Sequence, residues 1–580
     1  MLLIQSATTQ TATAADEPSS AGSAAPPEVA RAGYHRPVGV PNQSRSVVLA
    51  KHGIVATSHP LAAQAGLDIL QQGGTAADAA IAASAIMGVV EPMSCGIGGD
   101  VFVIYWDAKS QKLYGLNGSG RSPHALTRQV FADKELDQIP EDGPLSWSVP
   151  GCVSGWEALY QRFGSLPFSE LLAPAIEQAE EGFPVTEVIA SYWKGAEKNL
   201  KKWPDSAATF LVDGRAPAEG EIFRNPRLAR TLRDIAEGGS EAFYRGRNAE
   251  TIVRFSEANG GYFSLRDFAE HASEWIEPVS TTYRGYRLWE LPPNGQGIAA
   301  LQMLNFVEPY DVRSMGPASA DWIHLFVEAK KLAFADRARF YADPHGQDLP
   351  TAELISKEYA KERGERIDMQ HAATDVPHGD PRLVHGDTIY LTVVDKDRNC
   401  CSLIQSNYFG FGSQVVTGDV GYAMQNRGAL FALDDEHPNR LAPHKRPFHT
   451  IIPAMVTRDE RPVFCYGVMG GDMQPQGHVQ VLVNIIDFGM NIQQAGDAAR
   501  VRHFGSATPT GIPADGSGTV SVESTVAEEV VEELRRRGHK VEVAADGGEF
   551  GGYQGIWIDW ENGVLHGATE PRKDGAAVGY

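Results

Sequence analysis

The clearest pattern of apolar positions along the chain lies just after Thr388. Every residue of 389–394 is β-branched, aromatic or leucine, and the polar cluster 395–399 ends that run. A second apolar run follows and leads to Tyr408. The sequence therefore predicts a strand, a turn and a return strand, with Thr388 at the start of the hairpin.

Two helices and a strand are predicted near the beginning of the folded part of the chain. Residues 61–71 follow a helical pattern, and Thr75 begins a second helix that is nearly all apolar as far as Val90. A helix with so few polar positions must be buried on most sides. A glycine-rich loop over 91–99 then precedes an apolar strand over 101–106.

The rest of the chain supplies further helices and one more hairpin. Residues 107–380 have the pattern of alternating helices and short loops, in which Ser319 caps a long helix with one apolar stripe. Another helix is predicted over 478–500, and Asn562-Gly563 indicates a hairpin near the C-terminus. Strands beside Thr388 and near the C-terminus, with long helices in both halves, predict sheets covered by helices, the α+β class.

The length and the charge narrow the possible classes of function. A chain of 580 residues is long for a single core, so more than one lobe is expected. The 51 basic and 73 acidic side chains give a net charge of −22, which argues against nucleic acid or an anionic membrane surface as a partner. The longest apolar stretch, 76–90, is shorter than the roughly 20 residues of a membrane span, so no span is expected.

The first 42 residues differ from the remainder in composition. They are rich in Ala, Ser, Thr and Pro, which predicts a disordered tail over 1–42. The apolar run at the start is too short for a signal peptide, and no basic residue precedes it. We therefore expect a cytoplasmic protein, or a periplasmic or secreted one if the start codon is misassigned.

Cysteine and histidine spacing indicates neither a disulfide framework nor a metal site. The five cysteines include no CxxC pair, and Cys400 and Cys401 should point to opposite faces of the return strand as small buried side chains. The 17 histidines show no HExxH or comparable cluster. The sequence thus predicts no metal and no organic cofactor.

Thr388 becomes a candidate catalyst if the peptide bond before it is cut. Its own α-amine would then lie within reach of its hydroxyl, and because an α-amine titrates at about 7.7–8.0, its free base can accept the hydroxyl proton. The polar segment 370–386 upstream is suited to processing, because an exposed segment is accessible to cleavage. Spacing alone favours the ordinary alternative, a threonine that opens a strand because of its β propensity.

A set of motifs spread along the chain resembles one known family. These motifs are Glu91-Pro92, Gly98-Gly99-Asp100, Val149-Pro150-Gly151, Ala335-Asp336-Arg337, 388–397, 446–453, 467–471 and Gly579-Tyr580. With them, the chain from about Gly53 to its last residue resembles a divergent member of the γ-glutamyltranspeptidase family of N-terminal-nucleophile hydrolases.

The resemblance implies a fold and a reaction. The implied fold is a four-layer αββα sandwich, in which two antiparallel sheets lie between layers of helices. Self-cleavage of the Asp387–Thr388 bond would give a large subunit, 43–387 after the tail, and a small subunit, 388–580, from one precursor. The processed protein would cleave a small-molecule amide, such as the γ-glutamyl amide glutathione, through an acyl-enzyme that water or an amine acceptor releases, without a cofactor.

Four residues match the catalytic parts of the family. Thr388 matches the nucleophile, and Ser406 on the return strand matches a hydroxyl that positions it, with serine keeping the donor and acceptor of a threonine. Gly470 and Gly471 match paired glycines whose N–H groups form an oxyanion hole, where only glycine lets the backbone approach so closely. Without the resemblance, Ser406 could be a strand filler and the glycine pair an ordinary turn.

The positions that hold the glutamyl group differ from the family pattern. Ser119 stands where γ-glutamyl-specific members have an arginine for the α-carboxylate, with Arg121 two residues away. Leu430 stands where they have an aspartate for the α-ammonium. Tyr408 replaces a contacting asparagine, and His449-Thr450 replace a serine pair. The catalytic parts are therefore kept while the substrate anchors change.

This pattern leaves three functions open. The first is a divergent γ-glutamyl hydrolase or transferase, with Arg121 or Arg427 as the carboxylate anchor. The second is an amidohydrolase for a different acyl group, as in the family's cephalosporin-acylase-like and oxamate-amidohydrolase-like branches, with a carboxylate-bearing acyl group such as glutaryl preferred over γ-glutamyl. The third is a processed, inactive paralogue that serves as a binding protein.

Overall fold

The computed structural model describes residues 43–374, 387–506, 508–511, 513, 517–545 and 550–580, and of Asp387 the backbone alone. The predicted tail 1–42 and residues 375–386 of the polar segment before Thr388 lie outside the described residues.

The described residues form nineteen strands. They are β1 (Val48–Ala50), β2 (Ile54–Thr57), β3 (Asp100–Asp107), β4 (Lys112–Gly118), β5 (Phe183–Pro184), β6 (Ile222–Phe223), β7 (Glu274–Ile276), β8 (Val279–Tyr283), β9 (Tyr286–Glu290), β10 (Asp387–Val394), β11 (Cys400–Tyr408), β12 (Ala454–Arg458), β13 (Arg461–Met469), β14 (Val501–Phe504), β15 (Thr519–Glu523), β16 (Val541–Ala544), β17 (Gly552–Asp559), β18 (Val564–Thr569) and β19 (Ala576–Gly579).

Eighteen α-helices lie in the same part of the chain. They are α1 (Pro60–Gln71), α2 (Ala76–Val90), α3 (Arg128–Asp133), α4 (Cys152–Phe163), α5 (Phe168–Glu181), α6 (Glu187–Leu200), α7 (Pro204–Phe210), α8 (Pro226–Tyr244), α9 (Arg247–Ala258), α10 (Leu265–Ala269), α11 (Gly297–Val307), α12 (Val312–Met315), α13 (Ala320–Phe340), α14 (Thr351–Leu354), α15 (Lys357–Gly364), α16 (Met473–Ile486), α17 (Ile492–Asp497) and α18 (Glu528–Arg536). None of the helices in the described ranges is long and apolar enough to cross a membrane.

Fourteen of the strands build two seven-stranded sheets. The strand order is β1-β18-β17-β13-β12-β9-β8 in the first sheet and β19-β2-β10-β11-β3-β4-β7 in the second. Neighbouring strands in both sheets run antiparallel. β10, which carries Thr388, is an inner strand of the second sheet, and its residues 391–394 pair with both β11 and β2.

The two sheets and the helices on their outer faces form four layers, with an apolar core between each pair of neighbouring layers. One core lies between the sheets and takes side chains from β3, β10 and β11 on one side and from β12, β13 and β17 on the other. A second core joins the outer face of the second sheet to α1, α2, α4 and α5. The third joins the outer face of the first sheet to α11, α13 and α16. The predicted α+β fold, a four-layer αββα sandwich, is confirmed.

The hairpin predicted from the apolar runs is confirmed. β10 and β11 pair antiparallel, with Ile389 opposite Gln405 and Val394 opposite Cys400. Cys400 packs in the core between the sheets and Cys401 in the core under α1 and α2, as the alternation of a strand requires. All five cysteines are buried and free.

The helices predicted over 61–71, from Thr75 and from Ser319 are also confirmed. Thr75 caps α2 in a reciprocal capping box with Asp78, and every residue of this helix is buried. Ser319 caps α13 by accepting a hydrogen bond from the backbone N–H of Trp322. The Asn562-Gly563 turn joins β17 to β18, with Gly563 at a φ of 68°.

Two of the element predictions are wrong. The helix predicted over 478–500 is two helices, because Gly489 adopts a φ of 69° after α16 and Asn491 begins α17 with its own capping box. The prediction of only helices and loops over 107–380 missed β4, β7, β8 and β9 and the two-residue strands β5 and β6. β7 and β8 are edge strands of three and five residues, and so short an edge carries too few apolar positions to stand out.

Candidate active site

A bulge at the start of the central hairpin brings Thr388 and Ser406 together. The register shifts between Asp387 and Ile389, so that Ser406 and Asn407 of β11 lie opposite Thr388 alone. The hydroxyl oxygens Thr388 Oγ1 and Ser406 Oγ are 3.2 Å apart. Both side chains are buried, with exposed fractions of 3% and 0%.

Ser406 Oγ accepts hydrogen bonds from several neighbouring donors. Ser406 Oγ accepts from the backbone N–H of Tyr408 at 2.9 Å and from the Nη2 group of Arg427 at 3.0 Å. Both partners can only donate, and Thr388 Oγ1 donates to the same oxygen at 3.2 Å. Ser406 therefore holds the hydroxyl of Thr388 in place beside Arg427.

Arg427 is the positive charge of this cluster. It opens a short 3₁₀ turn, Arg427–Leu430, and is fully buried. Its Nη1 group donates to Thr450 Oγ1 at 2.7 Å, and its guanidinium carbon lies 4.5 Å from the centre of the Tyr408 ring. Burial lowers the pKa of Arg427 to about 10, so it stays charged at neutral pH. Within the described residues its Nε is buried without a hydrogen-bond partner.

Asp100, at the start of β3, supplies a compensating negative charge. Its carboxylate accepts from two backbone N–H groups, from Gln425 Nε2 at 2.8 Å and from His449 Nε2 at 3.0 Å. His449 Nδ1 accepts a backbone N–H, so its Nε2 carries the proton. Burial raises the pKa of Asp100 to about 6, against the pull of Arg427. Burial and Arg427 hold the pKa of His449 well below its usual range, so a neutral His449 faces an ionised Asp100 at neutral pH.

The two candidate oxyanion glycines form the turn between β13 and α16. Gly470 has a φ of 123° and Gly471 a φ of 57°, a conformation that side chains disfavour. A Cβ added to Gly470 would lie 3.1 Å from the Cα of Gly551, a tight contact that the backbone of Gly551 would have to relieve by shifting. The turn lies at the N-terminus of α16, where the helix dipole favours negative charge.

A polar chain connects this glycine turn to the Arg427 cluster. Gln296 Nε2 donates to the carbonyl oxygens of Thr450, at 2.7 Å, and Gly471, at 2.9 Å. Gln296 Oε1 accepts from Arg337 at 2.7 Å, and Arg337 holds both carboxylate oxygens of Asp472, at 2.7 and 3.2 Å. The turn is therefore linked to Arg427 by hydrogen bonds through Gln296 and Thr450.

Two of the predicted anchor residues have partners outside this cluster. Arg121 forms ion pairs with Glu274 at 2.8 Å and Asp343 at 3.4 Å, so its charge is already compensated. Ser119 is buried and its hydroxyl accepts from Asn294 Nδ2 at 3.1 Å. Of the two arginines considered as a carboxylate anchor, only Arg427 contacts Ser406 among the hydrogen bonds of the described residues.

Leu430 has no polar function in its side chain and packs in an apolar environment. It is fully buried in the core that also contains Tyr408 and Phe448. Its carbonyl oxygen accepts from Asn439 Nδ2 at 2.6 Å, which fixes the backbone of the turn that begins at Arg427. This position therefore offers no charge to a substrate ammonium.

Comparison with known proteins shows which family this chain belongs to. The family model described as Gamma-glutamyltranspeptidase matches residues 62–580. The chain belongs to the γ-glutamyltranspeptidase family. It is accordingly a hydrolase of the N-terminal-nucleophile fold, as the sequence motifs around Thr388 predict.

Relatives within the γ-glutamyltranspeptidase family have differing names. The chain is 40% identical to a glutathione hydrolase-like YwrD proenzyme of Bacillus subtilis, over 92% of this chain and all of the relative. It is 36% identical to an oxamate amidohydrolase proenzyme of Klebsiella pneumoniae, over 91% of this chain and 98% of the relative. The crystal structure of a cephalosporin acylase from Bacillus halodurans matches with a TM-score of 0.85 and 46% identity, covering 94% of this chain and 99% of that one.

Sequence reasoning missed four residues that organise the site: Asp100, Gln296, Arg337 and Asp472. Asp100 and Arg337 belong to motifs that carry the family resemblance, and a buried charge in such a motif was a usable signal. Gln296 stands alone in the sequence between strand β9 and helix α11, and only the fold gives it a role.

Proposed function

We propose that the chain is a self-processing amidohydrolase with Thr388 as nucleophile, acting on amides whose acyl group bears a carboxylate and no α-ammonium. The single observation that carries this proposal is the buried position of Arg427 beside Ser406. Arg427 is a buried, charged arginine that donates to Ser406, and its Nε lacks a hydrogen-bond partner within the described residues. Leu430, in the same turn, stands where a substrate ammonium would need an acidic side chain.

Processing would cut the bond between Asp387 and Thr388. Thr388 Oγ attacks the carbonyl carbon of Asp387, and the peptide nitrogen leaves as the α-amine of Thr388. Water then hydrolyses the ester that joins the two residues, which leaves Asp387 with a C-terminal carboxylate. The word proenzyme in the names of both relatives supports this step.

In turnover the new α-amine would act as base. It takes the Thr388 hydroxyl proton as Oγ attacks the amide carbonyl, and later gives that proton to the leaving amine. The tetrahedral oxyanion is stabilised by N–H groups of the Gly470-Gly471 turn, and Ser406 supports the nucleophile by a hydrogen bond. Attack of water, or of an amine acceptor, on the acyl ester completes the cycle.

Arg427 also indicates where the carboxylate of the acyl group would lie. Two hydrogen bonds, of 3.0 and 3.2 Å, separate its Nη2 from Thr388 Oγ1 through Ser406. Its Nε and Nη2 groups form one edge that a carboxylate oxygen pair can bind. An anchor so close to the nucleophile favours short acyl groups, and oxamate, named for one relative, carries its carboxylate directly beside the amide.

A matched pair of substrates tests this selectivity, since glutaryl and γ-glutamyl amides differ only by the α-ammonium. We expect kcat/KM for the glutaryl amide to exceed that for the γ-glutamyl amide by about a hundredfold or more, because an uncompensated buried charge costs at least about 3 kcal/mol. Oxamate should be hydrolysed as well. Efficient cleavage of glutathione with little glutaryl-amide hydrolysis would contradict the proposal.

A variant at Leu430 supplies the converse test. Leu430→Asp should shift preference toward γ-glutamyl amides, because it introduces the acid that an ammonium needs. Leu430→Asn is the matched control of the same size without the charge. If both variants change the two substrates equally, the position does not determine acyl selectivity.

A second candidate is hydrolysis or transfer of γ-glutamyl groups such as that of glutathione. The similarity to relatives named glutathione hydrolase supports it, including the Bacillus subtilis proenzyme at 28% identity. In that case Arg427 would hold the α-carboxylate, and the same substrate pair gives the opposite preference. A third candidate, a non-catalytic binding paralogue, is excluded by turnover of any amide in the panel.

A further inference from the structure

A second group of reactive side chains lies on the α13 and α18 side of the first sheet. His324 and Glu328 stand one turn apart on α13, and His539 follows the end of α18. All three are buried, and one ligand atom from each lies within 4.8 Å of the other two. Residues four apart on a helix share one face, so α13 presents an imidazole and a carboxylate together.

The hydrogen bonds of His324 prepare one of its nitrogens as a metal ligand. Its Nε2 lies 2.7 Å from the carbonyl oxygen of Asp368, which can only accept, so Nε2 carries the proton. Nδ1 is therefore unprotonated and carries a free lone pair. It lies 2.8 Å from His539 Nε2. A backbone carbonyl that holds the remote ring N–H is the usual outer partner of a metal-binding histidine.

Both imidazoles are neutral at neutral pH, the form that binds metals. Burial lowers the pKa of His324, and burial with the nearby Lys331 charge lowers the pKa of His539 to about 3. Neither histidine needs to lose a net proton on binding, because the His539 proton can move from Nε2 to Nδ1.

We propose that His324 Nδ1, His539 Nε2 and a carboxylate oxygen of Glu328 bind one divalent transition-metal ion of the Zn²⁺ class. Two imidazoles and a carboxylate are a common zinc set, with water completing the tetrahedron. Zinc–nitrogen bonds of about 2.0–2.1 Å require the two nitrogens to separate to roughly 3.3 Å. That is a small widening of the present 2.8 Å.

Lys331 is the competing cation at this place. Its Nζ lies 2.8 Å from Glu328 Oε1 and 3.0 Å from the carbonyl oxygen of Ala373. Glu328 Oε2 accepts only a long bond of 3.2 Å from the N–H of Ala373 among the hydrogen bonds described, so it is the oxygen available to the ion. Because Lys331 occupies one oxygen of Glu328, removing the lysine charge should strengthen metal binding.

The bound ion would connect three parts of the chain. Asp368 and Ala373 belong to the stretch that leads in sequence toward the predicted cleavage bond, and both contact the α13 ligands directly. The ion would therefore fasten this stretch to α13 and to the residues after α18. We expect Zn²⁺ to raise the melting temperature of the chelator-treated protein.

The test is metal titration of the intact, chelator-treated protein with Zn²⁺ by calorimetry and with Co²⁺ by visible absorption. We expect one ion per chain with nitrogen and oxygen ligands, and at least about a hundredfold weaker binding in His539→Gln, which keeps a donor toward His324. Lys331→Met should bind at least several-fold more tightly than wild type.

The control is the more exposed group His124, Glu270 and His444, which could bind metal adventitiously. His444→Gln should leave the stoichiometric binding unchanged. Loss of binding in His444→Gln with retention in His539→Gln, or no stoichiometric binding, would overturn the proposal. If His539→Gln fails to fold, anomalous scattering at the zinc edge from wild-type crystals decides. Density between His324 and His539 supports the site, and its absence overturns it.

Discussion

At the scale of single residues, the chemistry depends on which groups can only donate and which can only accept. Ser406 is surrounded by two obligatory donors, a backbone N–H and the Arg427 guanidinium. Ser406 Oγ also accepts from Thr388 Oγ1 at 3.2 Å, which positions the Thr388 hydroxyl. In the proposed mechanism, a hydroxyl in this position would assist both the cleavage of the precursor and the later attack on substrate, since both steps would use the same oxygen of Thr388.

The first prediction concerns this hydroxyl. Ser406→Ala should slow both precursor cleavage and kcat by about tenfold to a hundredfold, because Ser406 Oγ accepts from Thr388 and from the charged Arg427, and a hydrogen bond to a charged group contributes about 1.5–3 kcal/mol. Ser406→Thr keeps the hydroxyl and should retain both activities. Cleavage is followed by gel electrophoresis and kcat by amide hydrolysis. Unchanged rates in the alanine variant would reduce Ser406 to a structural residue.

The second prediction concerns pH and Asp100. Burial raises its pKa to about 6 in the folded protein, above the roughly 3.9 of an unfolded aspartate. The folded state therefore binds this proton more tightly, so its contribution to stability is present below about pH 4 and is lost as pH rises through about 6. The shift corresponds to on the order of 3 kcal/mol.

The matched variant for this effect is Asp100→Asn. It should be less stable than wild type at every pH. In the wild type a carboxylate oxygen of Asp100 accepts a hydrogen bond from His449 Nε2, and an asparagine amide group would face that N–H instead. The difference in unfolding free energy between wild type and Asp100→Asn should shrink as pH rises from about 4 to about 7. Over this range the wild type loses the stability that the protonated Asp100 carboxyl contributes, and the variant has no such group to lose. Denaturant unfolding at several pH values measures it. A difference independent of pH would contradict the assigned pKa.

At the scale of elements, the sequence predicted the helices and strands whose own residues form a long apolar run or a clear cap. The β10–β11 hairpin follows from an uninterrupted apolar run, and α2 follows from the Thr75 cap and its apolar length. The break between α16 and α17 was missed, because Gly489 with Asn491 in a periodic apolar segment looks like a tolerated interruption of one helix. The short edge strands were missed for lack of apolar length.

The third prediction concerns the Gly470-Gly471 turn. Gly470→Ala should lower kcat by about a hundredfold, because a Cβ at a φ of 123° would strain the turn and meet Gly551. Gly489→Ala is the control after the same helix, with a φ of 69° and open space around the added Cβ. It should cost about 1–2 kcal/mol of stability and leave kcat unchanged. Equal kcat in both variants would exclude the oxyanion role.

At the scale of the whole molecule, the site is assembled from segments far apart in sequence. Thr388 and Ser406 were predictable from motif and register, whereas the contacts of Asp100, Gln296 and Arg337 depend on how the two sheets and α13 pack. The sequence could suggest Arg121 as readily as Arg427 for the anchor. Only the packing shows that Arg121 is paired with Glu274 and that Arg427 contacts Ser406.

The two predicted fragments are also interleaved in both sheets. In the second sheet, β2 of the predicted large subunit lies between β19 and β10 of the small one. In the first sheet, β1, β8 and β9 of the large subunit flank four strands of the small one. Cleavage before Thr388 would therefore leave one folded protein of two chains, held by backbone hydrogen bonds and a shared core.

The central claim is that Thr388 becomes an N-terminal nucleophile by cleavage of its own peptide bond. The direct measurement is intact-mass analysis with N-terminal sequencing of purified wild type, Thr388→Ala and Thr388→Ser. We predict that wild type and Thr388→Ser yield co-eluting fragments of 387 and 193 residues, less any trimming of the tail, with the smaller beginning at position 388, while Thr388→Ala remains one chain. An uncleaved wild-type chain that still hydrolyses an amide would contradict the account.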